Sequence, residues 1–238
     1  MSEHNQQPIN KILAALPLAQ YKRIASQLKQ VNLKSGDILS EPQEEVDLIY
    51  FPQTAMISLV SIMMDGSTTE IGLVGNEGMI GIPAILGGKS TISRSIVQIS
   101  GLALKIPAEI MVREFHRGEK FQQLTLLYVQ AMLTQVSQSA ACNRQHKIEE
   151  RLARWLLSVH DCVLKNEIPL TQEFIANMLG IRRSGVTVAA GILQQAGIIH
   201  HSRGKITILD QSGLEDTACE CYRIVQNEFL RLLDSRRG

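Results

Sequence analysis

From Ile9 to Val31 apolar residues recur at helical spacing (Ile12, Leu13, Leu16, Ile24, Leu28, Val31), and Pro17 interrupts them, which predicts two short helices. The period then changes. Between Val31 and Ile106 the apolar runs are short or alternate, and turn residues return at Lys34-Ser35-Gly36-Asp37, Pro42, Pro52, Asp65-Gly66, Gly75-Asn76, Gly87-Gly88 and Gly101. That rhythm predicts an antiparallel β-barrel or sandwich of about 75 residues. Asp65-Gly66, set between Met56–Met63 and Thr68–Val74, is the strongest hairpin signal in the chain.

After Pro107 the helical period returns, with a short helix over Ala108–Phe115 and a long one from Glu119 to about Asn143 that contains neither Pro nor Gly. The long helix carries two apolar rows. Phe121, Leu124, Tyr128 and Ala131 form one, which Gln135, Gln138 and Cys142 continue; Leu126, Val129, Leu133, Val136 and Ala140 form the other. One row can cover the barrel, and the second predicts a self-pairing seam between two copies. In such a seam a polar residue sets register or touches a ligand. Asn143-Arg144-Gln145-His146 breaks both rows and reads as a hinge. Beyond it Lys147–Val163 is amphipathic, with Ile148, Leu152, Trp155, Leu156 and Val159 inward, and a last helix is expected over Gly213–Asp234. The domains expected are 1–118, N-terminal helices and β-domain; 119–146, long helix and hinge; and 147–238, the C-terminal domain.

Composition narrows the class. The 238 residues are 45% hydrophobic, 20% charged and 4% aromatic, which excludes disordered, collagenous and disulfide-scaffold chains. Met1–Pro8 is polar with no signal-like apolar region, and no run reaches the roughly 18 apolar residues of a membrane helix, so a cytoplasmic protein without a membrane partner is expected. Cys142, Cys162, Cys219 and Cys221 make no Cys-x-x-Cys pair and show no His at zinc-ligand spacing, and Cys219 and Cys221 at i, i+2 of one helix would point apart. Reduced, packed thiols and no metal are the expectation.

The segment Pro169–Ile199 carries the clearest chemistry. Thr171 is an N-cap, Phe174, Ile175, Met178 and Leu179 give a one-sided first helix, Gly180 closes it, and a second helix starts near Arg182 with Val186, Ala189, Ala190 and Leu193 inward. Two short helices joined by a tight Gly turn form a helix-turn-helix, whose second helix can enter a major groove. The residues exposed there are Arg182, Arg183, Ser184 and Thr187. An Arg can bond a guanine edge through two donors, while Ser and Thr reach phosphates near a helix N-terminus. Thr171 and Gln172, at the start of the first helix, join the candidate double-stranded-DNA-binding set. Ile198–Leu209 then reads as an alternating hairpin with a basic tip, a wing that would lay Arg203 and Lys205 along the phosphate backbone.

The whole layout resembles the family of the cyclic-AMP receptor protein and the fumarate-nitrate reduction regulator (CRP/FNR), from Ile9 to Leu209. The most specific parts are Lys34-Ser35-Gly36-Asp37-Ile38-Leu39, Arg151-Leu152-Ala153-Arg154-Trp155-Leu156-Leu157 and Leu170–Ile199. The resemblance implies an α+β protein: an N-terminal cyclic-nucleotide-binding-like β-roll (jelly roll), a long dimerisation helix and a C-terminal winged helix-turn-helix. It also implies a homodimeric, non-enzymatic transcription regulator, which contacts RNA polymerase if it activates. Aligned on Gly180, the family's first base-contacting arginine falls on Arg183, while its acidic and second arginine positions fall on Ser184 and Val188. A different operator is therefore expected.

In cyclic-nucleotide-binding members a Glu holds the ribose and an Arg-Ser/Thr pair holds the phosphate. Here Ile82 and Pro83 stand where the Glu and its apolar neighbour belong. Arg94-Ser95 looks like the phosphate pair, but alignment on Val97 puts Arg94 one residue out of register, on the other face of its strand. Arg94 and Ser95, with Ser137 of the long helix, are the candidate effector residues. Cyclic AMP is not expected as a tight ligand or cofactor, an expectation that micromolar binding in a calorimetric titration would overturn. Another small-molecule effector, or none, stays open. Gly72, Gly75, Gly78 and Gly81 match no phosphate-loop pattern, no cysteine before Cys142 exists for an iron-sulfur sensor, and a haem would need His116 or His146. The rivals are an enzyme on a cupin-like barrel, for which no ligand or catalytic spacing stands out, and a regulatory small-molecule-binding module without specific DNA binding.

The formal charge of +1, from 24 Lys+Arg and 23 Asp+Glu, seems to weaken a nucleic-acid reading. Its distribution reverses that impression. Pro169–Leu209 holds Arg182, Arg183, Arg203 and Lys205 against Glu173 alone, a net +3, which leaves −2 for the rest of the chain.

Overall fold

The computed structural model describes residues 8–163 and 165–233. Helices α1 (Lys11–Ala14) and α2 (Leu18–Ala25) flank Pro17. Buried Asn10 caps α1 by accepting from the Ile12 and Leu13 amides, and its own amide donates to the carbonyls of Pro52 (3.1 Å) and Gly78 (2.8 Å), which fastens α1 to the β-domain. Val31 departs from the helical expectation. It lies in β1 (Lys29–Leu33) opposite Ala103, because ladder pairing outweighs a weak apolar spacing.

The β-domain continues with β2 (Ile38–Ser40), β3 (Leu48–Pro52), β4 (Met56–Ile62), β5 (Thr68–Val74), the short helix α3 (Ile82–Ile85), β6 (Arg94–Ile99) and β7 (Gly101–Pro107). Two antiparallel sheets form, in the orders β1-β7-β3 and β2-β6-β4-β5. The β4–β5 hairpin turns at Asp65-Gly66: Asp65 accepts from the Ser67 amide (2.9 Å) and Gly66 takes φ +81°, a conformation glycine adopts at no steric cost. Leu33, Tyr50, Ala55, Ile57, Val74, Ile80, Val97 and Ala103 fill the space between the sheets. The other face of β4 and β5 is covered as well. Met56, Val60 and Leu73 join the core of the C-terminal domain, so β4 reads as a nearly continuous apolar run where an exposed sheet would alternate.

Helix α4 (Ala108–His116) leads into α5 (Lys120–Gln145). Phe121, Leu124, Tyr128 and Ala131 are buried against the β-domain side, as their spacing predicts. Gln135, Gln138 and Cys142 continue that inner row and have partners within the chain. Gln135 accepts from the Leu73 amide (2.8 Å) and donates to its carbonyl (3.3 Å). The second row is exposed, Leu126 to 52% and Leu133 to 64%.

His146 ends α5 in extended conformation and α6 (Ile148–Val163) follows, then β8 (Glu167–Ile168), α7 (Gln172–Leu179), α8 (Arg183–Gln195), β9 (Ile199–Ser202), β10 (Lys205–Ile208), α9 (Gln211–Thr217) and α10 (Cys221–Leu233). Strand β8 pairs with β10 and completes a three-stranded wing sheet; two residues are too few to show a period. The expected helix Gly213–Asp234 is a correction. It is two helices, broken where Ala218 turns extended (φ −66°, ψ 143°), so that α9 packs on α6 while α10 runs along α5; Asp234 lies outside the described residues.

Candidate nucleic-acid interface

Thr171 caps α7, its hydroxyl accepting from the Phe174 amide (3.1 Å), and Gly180 closes the helix at φ +61°, ψ 41°. The next helix then starts without a side-chain cap: Arg182 holds the N-cap position, its carbonyl accepts from the Gly185 amide (2.9 Å), and no side chain covers the amides before it. Val186, Ala189, Ala190 and Leu193 turn into the core while Arg182, Arg183, Ser184, Thr187 and Val188 stay exposed. The arrangement offers an anion-attracting helix terminus, two guanidinium groups and two hydroxyl groups on one surface. Thr187 is held in place, donating to Gln172 (2.8 Å) or to the Arg183 carbonyl (3.1 Å), so α7 orients part of the reading face of α8.

Buried Arg151, from the motif after the hinge, donates to the Leu179 carbonyl at the end of α7. This charged bond satisfies an orphan acceptor of the helix terminus and fixes the turn that aims α8. The wing is tied to α8 by Gln194, which accepts from the His201 amide (2.8 Å). Arg203 and Gly204 form its exposed tip. Lys205 is different: it is ion-paired with Glu167 (2.7 Å), a β8 residue whose position the sequence pattern did not reveal. The interface thus has Arg182, Arg183 and Arg203 as its exposed cations, with Lys205 already neutralised.

The effector candidates do not converge. Arg94 turns outward to Glu41 (2.9 Å), whereas Ser95 is buried on the opposite face of β6 and meets Ser40 (2.9 Å between hydroxyls). Ser137 is exposed on α5. Ile82 begins α3 and packs in the helix-side core. A cavity of about 710 Å³ lies instead between α1, β5, α5, α6 and α10, beside Glu77, Asp161 and Tyr222.

The two domains meet at Glu70. Its carboxylate accepts from Trp155 Nε1 (2.8 Å) and from the Ser58 hydroxyl, and burial pushes its pKa up to about 7 even though these bonds and the nearby Arg154 charge pull it down. Trp155 is thus core, as its place in the pattern predicts, and also a polar link between domains. Helix α7 lies along β5, where a side chain at Gly180 would stand 3.0 Å from Thr69.

The chain thus joins a β-roll by one long helix to a winged helix-turn-helix. Residues 150–217 match the family model of the Crp-like helix-turn-helix domain. Solved structures share the fold over most of the chain. One described as a transcriptional regulator of the CRP/FNR family from Eubacterium rectale superposes with TM-score 0.68 at 23% identity, covering 85% of this chain and 94% of that one. A CRP-family transcriptional regulator from Thermus thermophilus gives 0.66 at 19% identity, over 79% and 96%. The c-di-GMP responsive global regulator CLP of Xanthomonas campestris gives 0.63 at 12%, over 81% and 99%. Comparison with curated protein sequences gives no match. Residues 150–217 thus carry a Crp-like helix-turn-helix domain, and the chain as a whole has the fold of these CRP/FNR-type structures.

Proposed function

We propose that the protein acts as a homodimer whose two α8 helices read the half-sites of a pseudo-palindromic operator about one DNA turn apart, with signals from the β-roll resetting their spacing through α5. The observation that carries this is the uncapped, exposed start of α8, where Arg182, Arg183, Ser184 and Thr187 share one surface. Arg183 reads a base edge, Arg182 and Ser184 hold phosphates, and the wing tip Arg203 follows the backbone. Thr171 and Gln172 support this face through their bonds to the Phe174 amide and to Thr187. The exposed row Leu126–Leu133–Val136 on α5 supports self-pairing. Cyclic AMP is not the ligand assigned to the roll, because Arg94 and Ser95 face opposite sides and the inter-sheet space is packed with apolar side chains.

Selection from randomised DNA followed by gel shift tests the reading. Arg183→Ala should weaken the selected site by about 1–3 kcal/mol, roughly 5- to 150-fold, and relax preference at one base pair. The double change of Arg182 and Arg183 to Ala should abolish sequence-specific binding. Retention of full specificity by the double variant would leave a regulatory module that does not read DNA through α8.

A further inference from the structure

Three of the four cysteines and one histidine meet at a point that the regulatory reading does not use. Cys142 lies on the last turn of α5, and His146, the extended residue that caps this helix, donates its amide to the Cys142 carbonyl (3.1 Å). Cys219 lies in the break between α9 and α10, and Cys221 is the first residue of α10. Because Cys219 is outside the helix, the Cys-x-Cys pair is freed from helical geometry and both thiols turn to the same place. This corrects the expectation that they point apart. The three sulfur atoms and a histidine nitrogen all lie within 4.8 Å of one another.

We propose that Cys142, His146, Cys219 and Cys221 bind a single zinc ion that fastens the end of the long helix to the C-terminal domain. A tetrahedral zinc with sulfur at about 2.3 Å and nitrogen at about 2.0 Å sets its ligands roughly 3.6–3.8 Å apart. The cluster shows Cys142 Sγ to Cys219 Sγ at 3.5 Å and Cys221 Sγ to His146 Nδ1 at 3.6 Å. A cluster of two or four irons spreads its ligands around a larger cage, so mutual approach within 4.8 Å suits one ion.

The surroundings also match a metal site. A ligating His usually gives its other ring nitrogen to a carboxylate, which fixes the tautomer and orientation. Here Nδ1 faces the thiols and Nε2 lies 3.2 Å from the Glu220 carboxylate, on the residue between the two cysteines. Gln138 donates to Cys221 Sγ (3.2 Å), a bond that favours a thiolate. Cys142, Cys219 and Cys221 are all buried, while His146 keeps a partly exposed edge through which an ion can enter. A Cys142–Cys219 disulfide is the competing chemistry. It would leave Cys221, His146 and the Glu220 contact without a role.

The test uses the full chain, purified under reducing conditions, with metal content read by mass spectrometry and the apo chain titrated with Co²⁺ and then Zn²⁺. The expected results are one zinc per chain and a Co²⁺ complex with the intense visible bands of tetrahedral thiolate ligation, bleached by one equivalent of Zn²⁺. Cys221→Ser should weaken zinc at least 100-fold and Cys162→Ser should not change it. Glu220→Gln, which removes no ligand, should weaken zinc 10- to 100-fold. Because the Co²⁺ titration uses the unaltered chain, it decides even if a cysteine variant fails to fold. Weak octahedral Co²⁺ bands, substoichiometric zinc, or a Cys142–Cys219 disulfide in metal-free native protein would each overturn the proposal.

Discussion

At the scale of single residues, Glu70 shows how a contact between domains becomes a pH response. An unfolded Glu releases its proton near 4.5, but in the fold it does so near 7 because ionisation occurs under cover of the roll and α6. Between those values the folded chain holds the extra proton, so stability falls as pH rises from about 4.5 to 7 and levels off above. The difference corresponds to on the order of 3 kcal/mol. Glu70→Gln keeps an acceptor for Trp155 and a donor for Ser58 without a charge to bury, so thermal unfolding of this variant should exceed the native chain at pH 8 and match it near pH 4. Equal pH profiles for the two chains would remove Glu70 as the source. The sequence marks Trp155 as core but leaves Glu70 mute, because a lone Glu in an alternating strand reads as a solvated face.

At the scale of elements, α5 is the informative case. Its two apolar rows were legible from spacing alone, and the fold buries one and leaves the other exposed. An unsatisfied stripe on a 26-residue helix costs burial energy that a second copy can supply. Leu133→Asp places a charge in the middle of that stripe. Light scattering at micromolar concentration should give a native dimer and, for the variant, the 26.4 kDa of one chain with unchanged helical content. A native monomer contradicts the seam. The inner row was less readable, since Gln135 and Gln138 resemble seam register devices in sequence and only the fold reveals β5 and α10 beside them. The split of α9 from α10 had no signal either. Ala218, Cys219 and Glu220 are not helix breakers, and the turn there follows from packing on α5 and α6.

At the scale of the whole molecule, charge decides how DNA is met. The formal +1 hides a basic reading face, and pairing of Lys205 with Glu167 thins that face further. Arg182, Arg183 and Arg203 remain, and with Arg183 on a base edge a dimer has about four phosphate-seeking cations. Affinity for the selected operator should then fall with a log–log salt slope of about −3.6, or roughly 150-fold between 50 and 200 mM salt. Glu167→Gln should free Lys205 and steepen the slope by about one per half-site; an unchanged slope would show that the wing lysine does not reach the backbone. Among the described residues no helix is long and apolar enough to cross a membrane.

The sequence by itself determined the order of domains, the long helix with its two stripes, the hairpin at Asp65-Gly66 and the helix-turn-helix closed at Gly180, because each is a local periodicity or a backbone requirement that neighbouring residues state. Tertiary structure alone decided what distant residues do to one another: Arg94 against Glu41, Lys205 against Glu167, Glu70 under Trp155, and Cys142 and His146 against Cys219 and Cys221 some 75 positions away. Such pairings depend on how packed elements face each other, and no spacing along one segment encodes that.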